Sequence, residues 1–159
     1  MKQTTKSRLK KSGALAAAAV VLVGAWEGVR TVAYRDIVGI PTVCFGETRG
    51  VKMGDRYTME ECRAMLGDAL IEFENGMRTC LKNPDSIPEK SYVAFLSLSY
   101  NIGVRAFCGS TVARRANAGD IQGACEAIPA WNRAGGRVAK GLVNRRADEL
   151  RICRQGIAG

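Results

Sequence analysis

Two carboxylates and a threonine stand close together early in the chain: Glu27, Asp36 nine residues on, and Thr42 six residues beyond that. Cleavage of a glycosidic bond needs such a set. One carboxyl must be protonated, to give a proton to the leaving oxygen, and a second must be ionised, to activate water or attack the sugar. Unequal surroundings assign the two roles, because an apolar setting keeps a carboxyl neutral while a polar one leaves it charged. Glu27 ends an apolar run and follows Trp26, which suits the acid. Asp36 lies in a polar turn after Tyr34 and Arg35, which suits the base, and Thr42 offers a hydroxyl to hold the attacking water. Taken singly, Glu27 reads better as a capping or solvated carboxylate and Asp36 as a turn former.

Composition narrows the alternatives. Histidine is absent, which removes Ser-His-Asp and Cys-His nucleophiles, histidine zinc sites and any histidine general base. Lys and Arg number 24 against 15 acids, a net charge of +9 that favours an anionic partner or surface. Lys2, Lys6, Arg8, Lys10 and Lys11 stand in an acid-free segment, so the remaining chain has 19 basic residues against the 15 acids, a surplus of four. A second basic cluster runs from Arg133 to Arg154, and a solvated helix face accounts for it. No finger, homeodomain or aromatic RNA motif is present, so nucleic acid is not the expected partner.

The segment before Glu27 reads as an export signal. A basic stretch is followed by Gly13 to Trp26 without a charge, the order of a secretory n-region and h-region. The run has 14 residues, short of the roughly 20 that span a bilayer comfortably. It is also weakly apolar, with six Ala and two Gly among residues 13–25. An Ala-rich surface helix is the plainer alternative, and cleavage after Ala25 is the alternative to retention. Six cysteines, Cys44, Cys62, Cys80, Cys108, Cys125 and Cys153, all lie beyond this segment and none forms a C-x-x-C pair, which fits disulfides in an oxidising compartment.

The elements that must hold the carboxylates follow from pattern. Ile37–Phe45 and Val51–Tyr57 read as short strands with Gly46–Gly50 turning between them. Thr58 and Glu61 form a capping box, behind which Cys62, Met65, Leu66, Ala69, Leu70, Phe73, Met77 and Cys80 recur at helical spacing, ending before Pro84. From Ser86 onward the chain reads helical. Tyr92 to Tyr100 is apolar on nearly all sides, Ser110 and Asp120 can cap short helices, and Gly135-Gly136 precede a last basic helix reaching about Arg154. The expected fold is α+β: a small mixed lobe, a long connecting helix and an all-helical lobe with a cleft between them. On that layout Cys44 neighbours Cys62, Cys80 neighbours Cys108, and Cys125 neighbours Cys153.

The string Glu27-Gly28, Tyr34-x-Asp36, Thr42-x-x-x-Gly46, with gaps of eight and five residues between Glu, Asp and Thr, resembles the phage T4-type lysozymes, glycoside hydrolase family 24. The resemblance continues in Tyr100-Asn101-Ile102-Gly103, Phe107, Ser110-Thr111, Asn117-Ala118-Gly119-Asp120, Trp131, Gly135-Gly136, Gly141-Leu142 and Arg145-Arg146, covering about residues 24–155. It implies the two-lobed phage lysozyme fold and hydrolysis of the β-1,4 bond between N-acetylmuramic acid and N-acetylglucosamine in peptidoglycan. By it Glu27 is the general acid, Asp36 the second carboxylate, Thr42 the residue that positions water, and Asn101 and Ser110 line the sugar cleft. One departure stands out: Glu47 occupies the place of the family's usual histidine after Gly46.

The N-terminus is similar to that of signal-arrest-release endolysins, whose weakly hydrophobic anchor holds them inactive in the inner membrane before they escape to the periplasm. On this reading residues 1–26 are the n-region and signal-anchor and residues 27–159 the catalytic domain. With no cysteine before Cys44, unmasking by an anchor thiol is excluded, and the anchor is expected to refold into the soluble domain. No cofactor or metal is expected, and the protein should act as a monomer on peptidoglycan. The rival readings are a non-catalytic, envelope-tethered wall-binding protein and a lytic transglycosylase on a similar fold.

Overall fold

The structure is a computed structural model that describes residues 6–158; Lys2 of the basic segment lies outside the described residues. Caps and apolar periodicity account for most of its elements. Ser7 accepts a hydrogen bond from the Lys10 amide and opens a single turn, α1 (Arg8–Lys11). Ser12 then caps α2 (Gly13–Glu27) through the Leu15 amide. This helix is apolar all round, yet it buries only the stripe Leu15, Ala19, Leu22 and Val23, a spacing that puts all four on one face. Gly28 ends it at φ 73°, a left-handed conformation open to glycine, and the chain reverses into the sheet.

The mixed lobe differs in detail from expectation. Its strands are β1 (Arg30–Arg35) and β2 (Pro41–Cys44), antiparallel, with Tyr34 opposite Thr42 and Arg35 opposite Pro41. The turn between them is Asp36 to Ile40, not Gly46–Gly50. Val51–Tyr57 forms no strand; it touches β1 only through the isolated bridge of Val32 with Arg56. The β-branched residues that suggested a strand at Ile37, Val38 and Ile40 are the exposed tip of the hairpin, Ile37 being fully solvent-exposed.

The long helix is as expected. α3 (Met59–Thr79) starts at the complete Thr58–Glu61 capping box and buries Cys62, Leu66, Leu70, Glu74 and Met77 along one side. α4 (Glu89–Ile102) is buried without a break from Ser91 to Ser99 and is the centre of the helical lobe. Around it lie α5 (Val104–Cys108), α6 (Thr111–Asn117) capped by Ser110, and α7 (Ile121–Glu126) capped by Asp120. A two-residue hairpin, β3 (Arg133–Ala134) and β4 (Arg137–Val138), turns at Gly135-Gly136 before α8 (Lys140–Ala158), which packs along α4. The buried face of α8 is unusual, comprising Arg145, Arg146, Glu149 and Cys153.

Disulfides join Cys44 to Cys62, Cys80 to Cys108 and Cys125 to Cys153, the pairs the order of elements suggested. The first pins β2 to α3 and the second fixes the end of α3 to α5. The third ties α7 to α8. Sequence separations of 18, 28 and 28 correspond, on chain entropy alone, to about 3–4 kcal/mol each. α2 packs on both α3 and α4, so the N-terminal segment belongs to the folded body.

Candidate active site

Glu27 is the last residue of α2, and two contacts with α8 hold it in place. The Trp26 indole donates to Asp148 Oδ2 at 2.9 Å, and Arg145 Nη1 donates to Glu27 Oε2 at 2.7 Å. The Glu27 side chain is 24% exposed while that of Arg145 is 5% exposed, so a buried guanidinium presents its tip to a carboxylate open to solvent. An apolar surrounding was expected for Glu27 from the run before it. The apolar side chains of α2 instead face α3 and α4, and the helix end meets the charged face of α8.

Behind Arg145 lies a closed ionic cluster. Arg145 Nε faces Glu149 Oε2 at 3.3 Å, Arg146 Nε faces Glu149 Oε1 at 2.6 Å, and the Ser97 hydroxyl donates to Glu149 Oε2 at 2.5 Å. Arg146 also donates to the Trp131 carbonyl at 3.2 Å. Burial pushes the Glu149 carboxyl above its ordinary value, against Arg146, Ser97 and Arg145, which favour its charged form. Burial likewise lowers the Arg146 guanidinium, in opposition to Glu149.

Asp36 opens the β1–β2 turn. Its Oδ1 accepts from the amides of Val38 and Ile40, both at 2.9 Å, while Gly39 at φ 83° closes the turn. Oδ2 has no protein partner among the described residues, so one oxygen builds the turn and the other is left for chemistry. Thr42 is buried on β2, and its hydroxyl donates to the Ile40 carbonyl at 2.9 Å. With its proton committed there, Oγ can accept a hydrogen from a bound water.

Glu47 accepts from the amides of Thr48 and Arg49 and pairs with the Arg49 side chain at 3.5 Å. Tyr100, near the end of α4, packs against Phe73 with ring centroids 4.7 Å apart and the ring planes tilted by 51°. Its phenol is pushed up to about 12 by burial and then by the charges of Glu27 and Glu47. A cavity of ≈390 Å³ opens between the turn after β2 and α3, lined by Phe45, Glu47, Met65, Phe73 and Tyr100 among others. Glu27, Asp36 and Thr42 do not line it, while Tyr100, which feels the Glu27 charge, and Glu47 do. Asn101 is exposed beside Tyr100. Ser110 is buried; its hydroxyl donates to the Phe107 carbonyl at 2.6 Å and accepts from the Ala113 amide at 3.1 Å, capping α6, and the residue lines a surface pocket together with Trp131. Among the described residues no cluster of His, Cys, Asp or Glu could hold a metal.

Residues 24–149 match the family model described as phage lysozyme. The SAR-endolysin of Enterobacteria phage P21 is 41% identical over 150 residues, covering 91% of this chain and 90% of the relative. The SAR-endolysin of Pseudomonas phage phiKMV is 41% identical over 145 residues, covering 89% of each. Among solved structures, a crystal structure of a P22 lysozyme mutant superimposes with a TM-score of 0.79 at 32% identity, covering 86% of this chain and 95% of that one.

Proposed function

The chain belongs to the phage lysozyme family, and on that premise we propose that Glu27 is the general acid, Asp36 the second carboxylate and Thr42 the residue that positions water. The protein is an endolysin, a muramidase that hydrolyses the β-1,4 bond between N-acetylmuramic acid and N-acetylglucosamine in peptidoglycan for host lysis. The observation that carries the residue assignment is one short stretch of chain. Between Glu27 and Thr42 a helix end, a hairpin turn and a buried strand offer an acid, a carboxylate with a free oxygen and a hydroxyl acceptor. Asn101, exposed beside Tyr100, and Ser110, which lines a surface pocket with Trp131, are the proposed residues of the sugar cleft.

Glu27→Gln keeps the shape and removes the donated proton. Lysis of purified cell wall should fall by roughly 10²–10⁴-fold with the fold intact, and near-normal lysis would refute the assignment. Mass spectrometry of wild-type products should find reducing ends; anhydro-sugar ends would mark a transglycosylase.

Residues 1–26 serve as n-region and signal-anchor, holding the enzyme inactive at the inner membrane until release into the periplasm, where it works as a monomer. Relatives named SAR-endolysins support this reading, as does the weak apolarity of the segment. Among the described residues no helix is long and apolar enough to cross a membrane. The boundary at residue 26 falls inside α2, so in the folded enzyme the anchor is the helix that carries Glu27. N-terminal sequencing of active soluble protein tests this: a chain starting at Trp26 would mean cleavage instead.

A further inference from the structure

Arg145 is shared between two carboxylates. Its Nη1 reaches Glu27 at 2.7 Å, while the edge formed by Nε and Nη2 faces inward, to Glu149 Oε2 at 3.3 Å and to the Ser97 carbonyl at 3.5 Å. Glu149 Oε2 also accepts from Arg146 Nη2 at 3.0 Å, and its Oε1 lies in charge contact 2.6 Å from Arg146 Nε. The side chains of Arg145, Arg146 and Glu149 are 5%, 1% and 0% exposed, so their charges are weakly screened. Two guanidiniums and one carboxylate leave one net positive charge behind Glu27. Without the carboxylate there would be two, and nearby positive charge favours an ionised acid. A general acid must hold its proton in the working pH range.

We propose that Glu149 is a positioning residue for bond cleavage: it fixes the inner edge of the Arg145 guanidinium and cancels the Arg146 charge, so that Glu27 meets one net positive charge instead of two. This rests on Glu27 being the general acid. The charged and titratable groups facing Glu27 are Arg145, Arg146 and Glu149 on α8, Tyr100 on α4 and, across Tyr100, Glu47; Asp148 of α8 binds the adjacent Trp26.

The test is the pH dependence of kcat/KM on purified peptidoglycan for the full chain, in Glu149→Gln, Arg146→Gln and the double variant. Glu149→Gln should move the alkaline limb down by about one pH unit, and Arg146→Gln should move it up by a similar amount. The double variant should return it close to the wild-type position. A purely structural role would lower thermal stability, most in the single variants, which strand a buried charge, with the limb unmoved. Folded single variants whose alkaline limbs coincide with wild type overturn the proposal. If Glu149→Gln does not fold, Arg146→Gln and the double decide by the same criterion. Near-normal lysis by Glu27→Gln would instead defeat the acid assignment. Loss of lysis there with an immobile limb in the other variants defeats only the role of Glu149.

Discussion

Because the Thr42 hydroxyl proton is committed to the Ile40 carbonyl, a water at Oγ must point a hydrogen toward Thr42 and turn a lone pair outward. Thr42→Val keeps the shape and deletes that acceptor. One hydrogen bond of about 1–3 kcal/mol corresponds to roughly a ten- to hundred-fold loss of turnover, and Thr42→Ser should retain most activity. Assays on purified peptidoglycan beside thermal melts check this. Tyr100 gives a pH signature. Its phenol ionises near 10 in the unfolded chain and at about 12 in the fold, chiefly through burial. The folded state therefore keeps a proton that the unfolded state releases. The associated stability is fully present below pH 10 and is lost as pH rises through 12. Tyr100→Phe should flatten stability across that window in chemical denaturation. At this scale the proposed set of Glu27, Asp36 and Thr42 is readable from sequence because its spacing is local. Arg145, which holds Glu27 from 118 residues away, was visible only as part of a basic pair, since its role exists only once α8 meets the end of α2.

The helices with side-chain caps were readable from sequence, and the first hairpin was not. The Thr58–Glu61 box marks the start of α3 because both side chains close the helix end reciprocally. The β1–β2 turn was misplaced because glycines at 46 and 50 outweigh Asp36, whose side chain makes the turn by accepting two amides. The basic n-region shows the same limit, for charge alone predicts solvation. Instead Ser7 and Leu9 are buried, and Glu74, itself buried, accepts from the Ser7 hydroxyl, the Arg8 and Leu9 amides at 2.7 and 3.3 Å, and the Tyr92 hydroxyl at 2.6 Å. The Arg8 guanidinium lies 4.4 Å from the Tyr92 ring centroid and donates to the carbonyls of Pro84 and Ile87. Glu74→Ala strands these donors, which should cost about 3 kcal/mol. It should also let trypsin cut after Arg8 and Lys10 in the soluble full chain. Thermal melts and mass spectrometry of the digest read both effects.

For the whole molecule, the proposed arrest and release requires one segment to satisfy two environments, the bilayer before release and the protein interior after it. α2 meets the second with a narrow stripe: Leu15, Ala19, Leu22 and Val23 are buried while Ala17 and Ala18 face solvent. The two demands are therefore separable by position. Leucines at 17 and 18 add three carbons each to the lipid-facing surface without entering the core, strengthening the anchor by about 5 kcal/mol in total at ~0.8 kcal/mol per methylene. Position 24 would confuse the experiment, since a Cβ on Gly24 would already lie 3.2 Å from the Phe45 ring and a leucine there would obstruct the fold as well as hold the membrane. Ala17→Leu with Ala18→Leu should shift the protein to the membrane fraction and delay lysis by the intact cell. Enzyme extracted in detergent and refolded should keep near-normal specific activity on purified wall. Unchanged partition and timing, with residues 1–25 missing from the active protein, would mean that the segment is removed and never joins the fold as α2.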